Sequence, residues 1–134
     1  MLRSEPLRLL VATDHPLASA GRVDVEALAE HALPAVRGAA PAAWLAGVLP
    51  ERTPAGREVP RGPAAATYQE ILALVAAGKV VCPVPDEGRR YFPWPGVTYL
   101  PLDGAPEVRW ALVWRSSGAT PLLRAFVAEV ARAG

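Results

Sequence analysis

The chain has 134 residues, 51% of them hydrophobic, with 14 Lys and Arg against 13 Asp and Glu. That length supports one sizeable core and not two, and a formal net charge of +1 excludes the basic footprint that nucleic acid binding requires. The single cysteine, Cys82, excludes an internal disulfide, and no apolar run reaches the ~20 residues of a spanning helix or forms a signal-peptide core, so a soluble, cytoplasmic protein is expected.

In chain order, Leu7–Thr13 (LRLLVAT) reads as a strand closed by the Asp14-His15-Pro16 turn. Asp24 then caps a short helix, Val25–Ala32, whose Val25, Leu28, Ala29 and Ala32 share a face. Leu33–Arg37 is short and apolar enough for a strand. Gly38 breaks it, and Pro41 at a first helical position opens a helix through about Leu49, with Trp44, Leu45 and Val48 on its apolar side. Glu51–Ala65, rich in Pro and Gly, is irregular, with a strand expected over Arg57–Arg61.

Thr67–Pro85 (TYQEILALVAAGKVVCPVP) is the best-defined stretch. Thr67 and Glu70 have capping-box spacing, Tyr68, Ile71, Leu72 and Val75 fall on one helical face, and Gly78 suits the left-handed residue after the last turn. Val80 to Val84 follow as a short buried strand bounded by Pro83 and Pro85. Asp86–Pro95 is a turn-rich connection, Val97–Leu102 a strand, and Asp103-Gly104 a turn. Val108–Arg115 (VRWALVWR) is the strongest strand candidate by composition, and Thr120-Pro121 starts a last helix faced by Leu123, Phe126, Val127 and Val130. Strands alternating with helices predict an α/β fold with a mostly parallel sheet covered on both faces.

Four segments, LLVATDHPLA, DVEALAEHALPAV, LVAAGKVVCPVP and VTYLPLDGAPEVRWALVWRSSGATPLLRAFVAEV, resemble in order the effector-binding (substrate-binding) domain of LysR-type transcriptional regulators. The resemblance implies a type 2 periplasmic-binding-protein fold. It begins mid-domain, so the chain is expected to be a single three-layer α/β/α lobe over residues 1–134. With it come both crossing strands, Leu7–Thr13 and Val108–Arg115, and no DNA-binding domain. One departure stands out: Val80 occupies a position where the family usually has glycine.

The implied function is effector sensing: a small metabolite, carboxylates favoured, held where strands end and helix N-termini present free N–H groups. The residues this singles out are Gly38, Ala39 and Ala40 before the Trp44 helix, Thr67, and Val84 and Pro85 at the strand exit. No cofactor, metal or catalytic residue is expected. His15 and His31 read as surface groups, Cys82 as a buried thiol, Arg89 and Arg90 as a solvated pair, and Trp44, Trp94, Trp110 and Trp114 as packing residues. With the first lobe missing, the strand carrying Trp110 and Trp114 exposes a large apolar face, which favours dimerisation or aggregation, and a homodimer is expected. The alternative function is a stand-alone dimerising interaction module without a ligand, and a small α/β enzyme is disfavoured for want of carrier residues.

Overall fold

The computed structural model describes residues 3–133. In chain order its strands and α-helices are β1 (Arg3–Glu5), β2 (Leu7–Ala12), β3 (Val23–Asp24), β4 (Leu33–Val36), α1 (Ala42–Val48), β5 (Arg61–Ala65), α2 (Tyr68–Ala76), β6 (Cys82–Pro85), α3 (Gly88–Tyr91), β7 (Val97–Asp103), β8 (Val108–Trp110) and α4 (Pro121–Ala133). β2 is central because its Leu/Val run suits a strand buried on both faces: Leu9, Leu10 and Val11 are each 0% exposed. It pairs antiparallel with β7 on one side and β6 on the other, and β3 joins the far edge of β7 in parallel.

α2 forms as its sequence dictates. Thr67 Oγ1 accepts the Glu70 N–H at 3.1 Å, Gly78 adopts φ +73°, and Leu72 and Val75 are buried in the core. That core is one cluster joining β2, β6, β7 and α2 to Leu28, Leu33 and Val48. Each fully buried Leu or Val in it contributes about 1.5–3 kcal/mol of transfer free energy.

Several expectations are corrected. The strands form one four-stranded and two two-stranded sheets, and the antiparallel pairings β1–β8, β2–β6 and β2–β7 outnumber the parallel pairings β3–β7 and β4–β5. The mostly parallel arrangement is therefore wrong, since strand direction is set by distant partners. The capped segment after Asp24 is a 3-10 helix, Val25–Glu30, and Pro41 is the N-cap of α1 rather than its first residue.

β5 lies at Arg61–Ala65, not Arg57–Arg61. It pairs with β4 through a register shift between Leu33 and Ala35, which accommodates Gly62 and Pro63. The two-stranded ribbon outside the main sheet joins Glu5 to Val108, so it uses β1, while Leu7–Ala12 sits in the middle of the sheet. Of the VRWALVWR run only Val108–Trp110 is strand. Val80 has a clear place: it is buried, and its Cγ1 lies 2.9 Å from where a Gly62 Cβ would stand, so Val80 fills the space that Gly62 leaves open.

Candidate functional site

The β6 exit, the start of α2, the approach to α1 and the β1–β8 ribbon enclose a concavity of about 760 Å3. Its first wall is backbone. Gly38 has φ +101°, a conformation that favours glycine, and turns the chain so that Gly38, Ala39 and Ala40 line the space. Its second wall is the first turn of α2, where Thr67 caps Glu70. The Glu70 carboxylate accepts the Ala66 N–H at 2.7 Å and pairs with Arg37 Nη2 at 2.8 Å. The Ala66 N–H, with help from Arg37, holds the Glu70 carboxyl below its ordinary range. The remaining first-turn donors are the Tyr68 and Gln69 N–H groups, which no intrahelical bond can use.

The third wall is aromatic. Tyr68 stacks on Phe92 with centroids 4.3 Å apart. Its hydroxyl meets the Tyr99 hydroxyl at 3.4 Å, and Tyr99 donates to the Phe92 carbonyl at 2.7 Å. Burial, with the Tyr99 contact second, pushes the Tyr68 phenol above its usual range. Gly88 leaves the room this ring occupies: a Cβ there would stand 2.5 Å from the Tyr68 hydroxyl oxygen, so a larger residue would displace it. Trp44, Tyr91 and Trp110 complete the aromatic lining.

The fourth wall is charged. Glu5, only 6% exposed, accepts the Trp110 Nε1–H at 2.6 Å and the Glu87 N–H at 3.0 Å. Arg3 Nη1 pairs with Glu87 Oε1 at 2.9 Å. The ribbon is thereby tied to the loop that follows β6.

All six residues singled out from sequence, Gly38, Ala39, Ala40, Thr67, Val84 and Pro85, line this one concavity. Sequence reasoning missed Glu5, Glu87, Tyr68, Tyr91 and Phe92 as lining residues, and it assigned Trp44 and Trp110 to packing. Aromatics beside a helix N-cap were the available signal. Arg89 is engaged by Asp86 at 2.9 Å, and Arg90 lies over the Tyr91 ring at 5.4 Å. Cys82 is buried, and burial pushes its thiol up to about 12, so it stays protonated at neutral pH.

His15 and His31, distant in sequence, meet edge to face with ring centroids 5.0 Å apart. Among the described residues no group of three or more His, Cys, Asp and Glu is arranged to hold a metal ion. A second concavity, about 550 Å3, lies on the other flank of α1, where Arg61 Nη2 donates to the Leu49 and Pro50 carbonyls at 2.7 and 2.9 Å.

The family model described as LysR substrate binding domain matches residues 1–134. The chain belongs to this family. Among solved structures it is similar to the effector-binding domain of QuiR in complex with shikimate, with 16% identity and a TM-score of 0.69 over 99% of this chain and 63% of that one. The regulatory domain of Synechocystis PCC6803 CcmR in complex with 2-PG gives 16% identity and a TM-score of 0.69, over 98% and 64%. The reduced form of OxyR gives 26% identity and a TM-score of 0.68, over 98% and 61%.

The chain thus spans about three-fifths of the length of these relatives. No curated protein sequence matches it significantly. The LysR-type substrate-binding domain adopts a mixed α/β fold of the periplasmic-binding-protein type. No helix among the described residues is long and apolar enough to cross a membrane.

Proposed function

We propose that this chain is the effector-sensing lobe of a cytoplasmic LysR-type regulator, and that a small carboxylated metabolite binds in the concavity between Gly38–Ala40, Thr67 and Val84–Pro85. One observation carries the reading. The positions that the family resemblance singles out from three separate segments converge on a single 760 Å3 space, a volume that suits a small ligand. The Tyr68 and Gln69 N–H groups at the positive end of α2 receive the carboxylate.

The chain binds rather than catalyses: its cysteine is a protonated core thiol, and the relatives of the same fold are solved with shikimate and with 2-PG. Occupancy biases the angle of the β1–β8 ribbon through Glu5 and Trp110. The ribbon passes that bias to the rest of the regulator, which acts as a homodimer and carries the DNA contact elsewhere.

A thermal-shift screen of small carboxylates tests this. A ligand at 100 times its Kd stabilises by about 2.7 kcal/mol, and Tyr68→Pro, which deletes one of the two free N–H groups, abolishes the shift. No shift with any carboxylate contradicts the reading.

A second reading, a dimerising interaction module, is favoured by α4. None of its residues is buried, and Leu122 and Phe126 are 81% and 54% exposed. Sizing chromatography separates the two readings. Self-association abolished by Phe126→Ser, with no carboxylate response, supports the module.

A further inference from the structure

The lining of the concavity says more about its ligand than that it carries a carboxylate. Its charged side chains are Arg3 and Arg37 on one account and Glu5 and Glu87 on the other. Both arginines are committed, Arg3 to Glu87 at 2.9 Å and Arg37 to Glu70 at 2.8 Å. No guanidinium on the lining is left to neutralise a second negative charge, which disfavours dicarboxylates and phosphorylated acids.

The wall opposite α2 has the reverse character. Glu5 is almost wholly enclosed, and Glu87 keeps Oε2 enclosed with no hydrogen-bond donor among the described residues. Two carboxylates there share one guanidinium, Arg3, which pairs with Glu87 at 2.9 Å and lies 3.9 Å from Glu5, so the wall is left formally one charge negative. Around it stand aromatic rings. Tyr68 and Phe92 are stacked on each other, but Trp44, Tyr91 and Trp110 are open to the space. Two of these rings already hold a cation, with Arg3 5.9 Å from the Trp110 centroid and Arg90 5.4 Å from that of Tyr91. Ring faces beside carboxylates attract organic ammonium groups.

We propose that the effector is a zwitterion, a monocarboxylate bearing an amino or alkylated ammonium group, with its cationic end against Trp44, Trp110 and the Glu5–Glu87 wall. This rests on the effector-site reading above and narrows it. The carboxylate sits at the start of α2 and the ammonium faces the ribbon. The end that touches the ribbon is then the cation, so the charge of the ligand is what the ribbon senses.

The test uses matched pairs that differ only in that charge, titrated calorimetrically into the full chain. Glycine betaine is compared with tert-butylacetate, its carbon isostere, and phenylalanine with hydrocinnamate, which lacks the amino group. At least one zwitterion binds about tenfold tighter than its partner, the ratio a cation–π contact in a partly desolvated site supplies. Which pair shows the gap tells alkylated from primary ammonium. Glu87→Gln narrows the gap: it removes a carboxylate facing the ammonium and releases Arg3, so the anionic isostere is held at least as tightly as before, a readout that loss of folding cannot imitate. Equal binding within both pairs, or tighter binding of the isosteres, overturns the zwitterion and leaves the carboxylate site standing. No binding by any of the four overturns both.

Discussion

The central strand β2 and the terminal helix α4 are both rich in apolar side chains, yet Leu9 and Leu10 of the strand are 0% exposed while Leu122 and Phe126 of the helix are 81% and 54% exposed. The strand is gripped from both edges by β6 and β7 and covered by α2. α4 is capped locally, with Thr120 Oγ1 accepting the Leu123 N–H at 3.1 Å, but buries nothing among the described residues. Local sequence is enough to make a helix, whereas burial needs a surface to pack on. The apolar face of α4 stays uncovered among the described residues, and the buried core residues fall between Leu7 and Leu102.

The largest effect that probes this contrast is in the core. Leu9→Ala should cost about 2–5 kcal/mol, the range for a Leu-to-Ala change at a packed site, while Phe126→Ala should stay within about 0.5 kcal/mol. Urea unfolding of the two variants at low protein concentration makes the comparison. Similar losses for both would mean that α4 is packed after all.

Next is Gly88→Ala. The new methyl would meet the Tyr68 hydroxyl at 2.5 Å, so overpacking should cost about 1–3 kcal/mol and unstack Tyr68 from Phe92. Thermal unfolding with near-UV circular dichroism would register both effects, and an unchanged aromatic signal would rule the clash out. Thr67→Ala, which removes the α2 cap, should lose about 1 kcal/mol. Thr120→Ala should change global stability far less, because α4 can fray without opening the core.

These sites also show what was legible in the sequence. α2 was read correctly down to its cap because every signal for it, Thr67, Glu70, the apolar face and Gly78, lies within one helix. β5 was misplaced because Gly62 and Pro63 argue locally against a strand, and only Leu33, Ala35 and Val36 across the gap make it one. Strand direction failed for the same reason: β2 meets its partners some 70 to 90 residues later in the chain. The backbone part of the candidate site, Gly38–Ala40 and Thr67, was visible through turn and cap chemistry. Its charged wall was not, because Glu5, Glu87 and Trp110 come together only when the ribbon forms.

The smallest effect is on pH dependence. Hydrogen bonds from Arg89, then from Arg8, hold the Asp86 carboxyl below its ordinary range, and the Arg22 guanidinium does the same for Asp103. A carboxyl depressed in the folded state contributes stability above its unfolded pKa of about 3.9 and loses it as pH falls through the folded value. The melting temperature should therefore decline on the acid side of that range, and Asp86→Asn should flatten the decline. In α4 the Glu129–Arg132 pair is solvent-exposed, and Glu129→Gln should leave the profile unchanged.

The most direct measurement of the central claim is a backbone amide NMR titration of the chain with a small carboxylate that scores in the thermal screen. The account predicts that the shifts concentrate on the N–H groups of Ala39, Ala40, Tyr68 and Gln69, with a smaller response at the Trp110 indole N–H. Shifts confined to α4, or to the second concavity around Arg61, would contradict it.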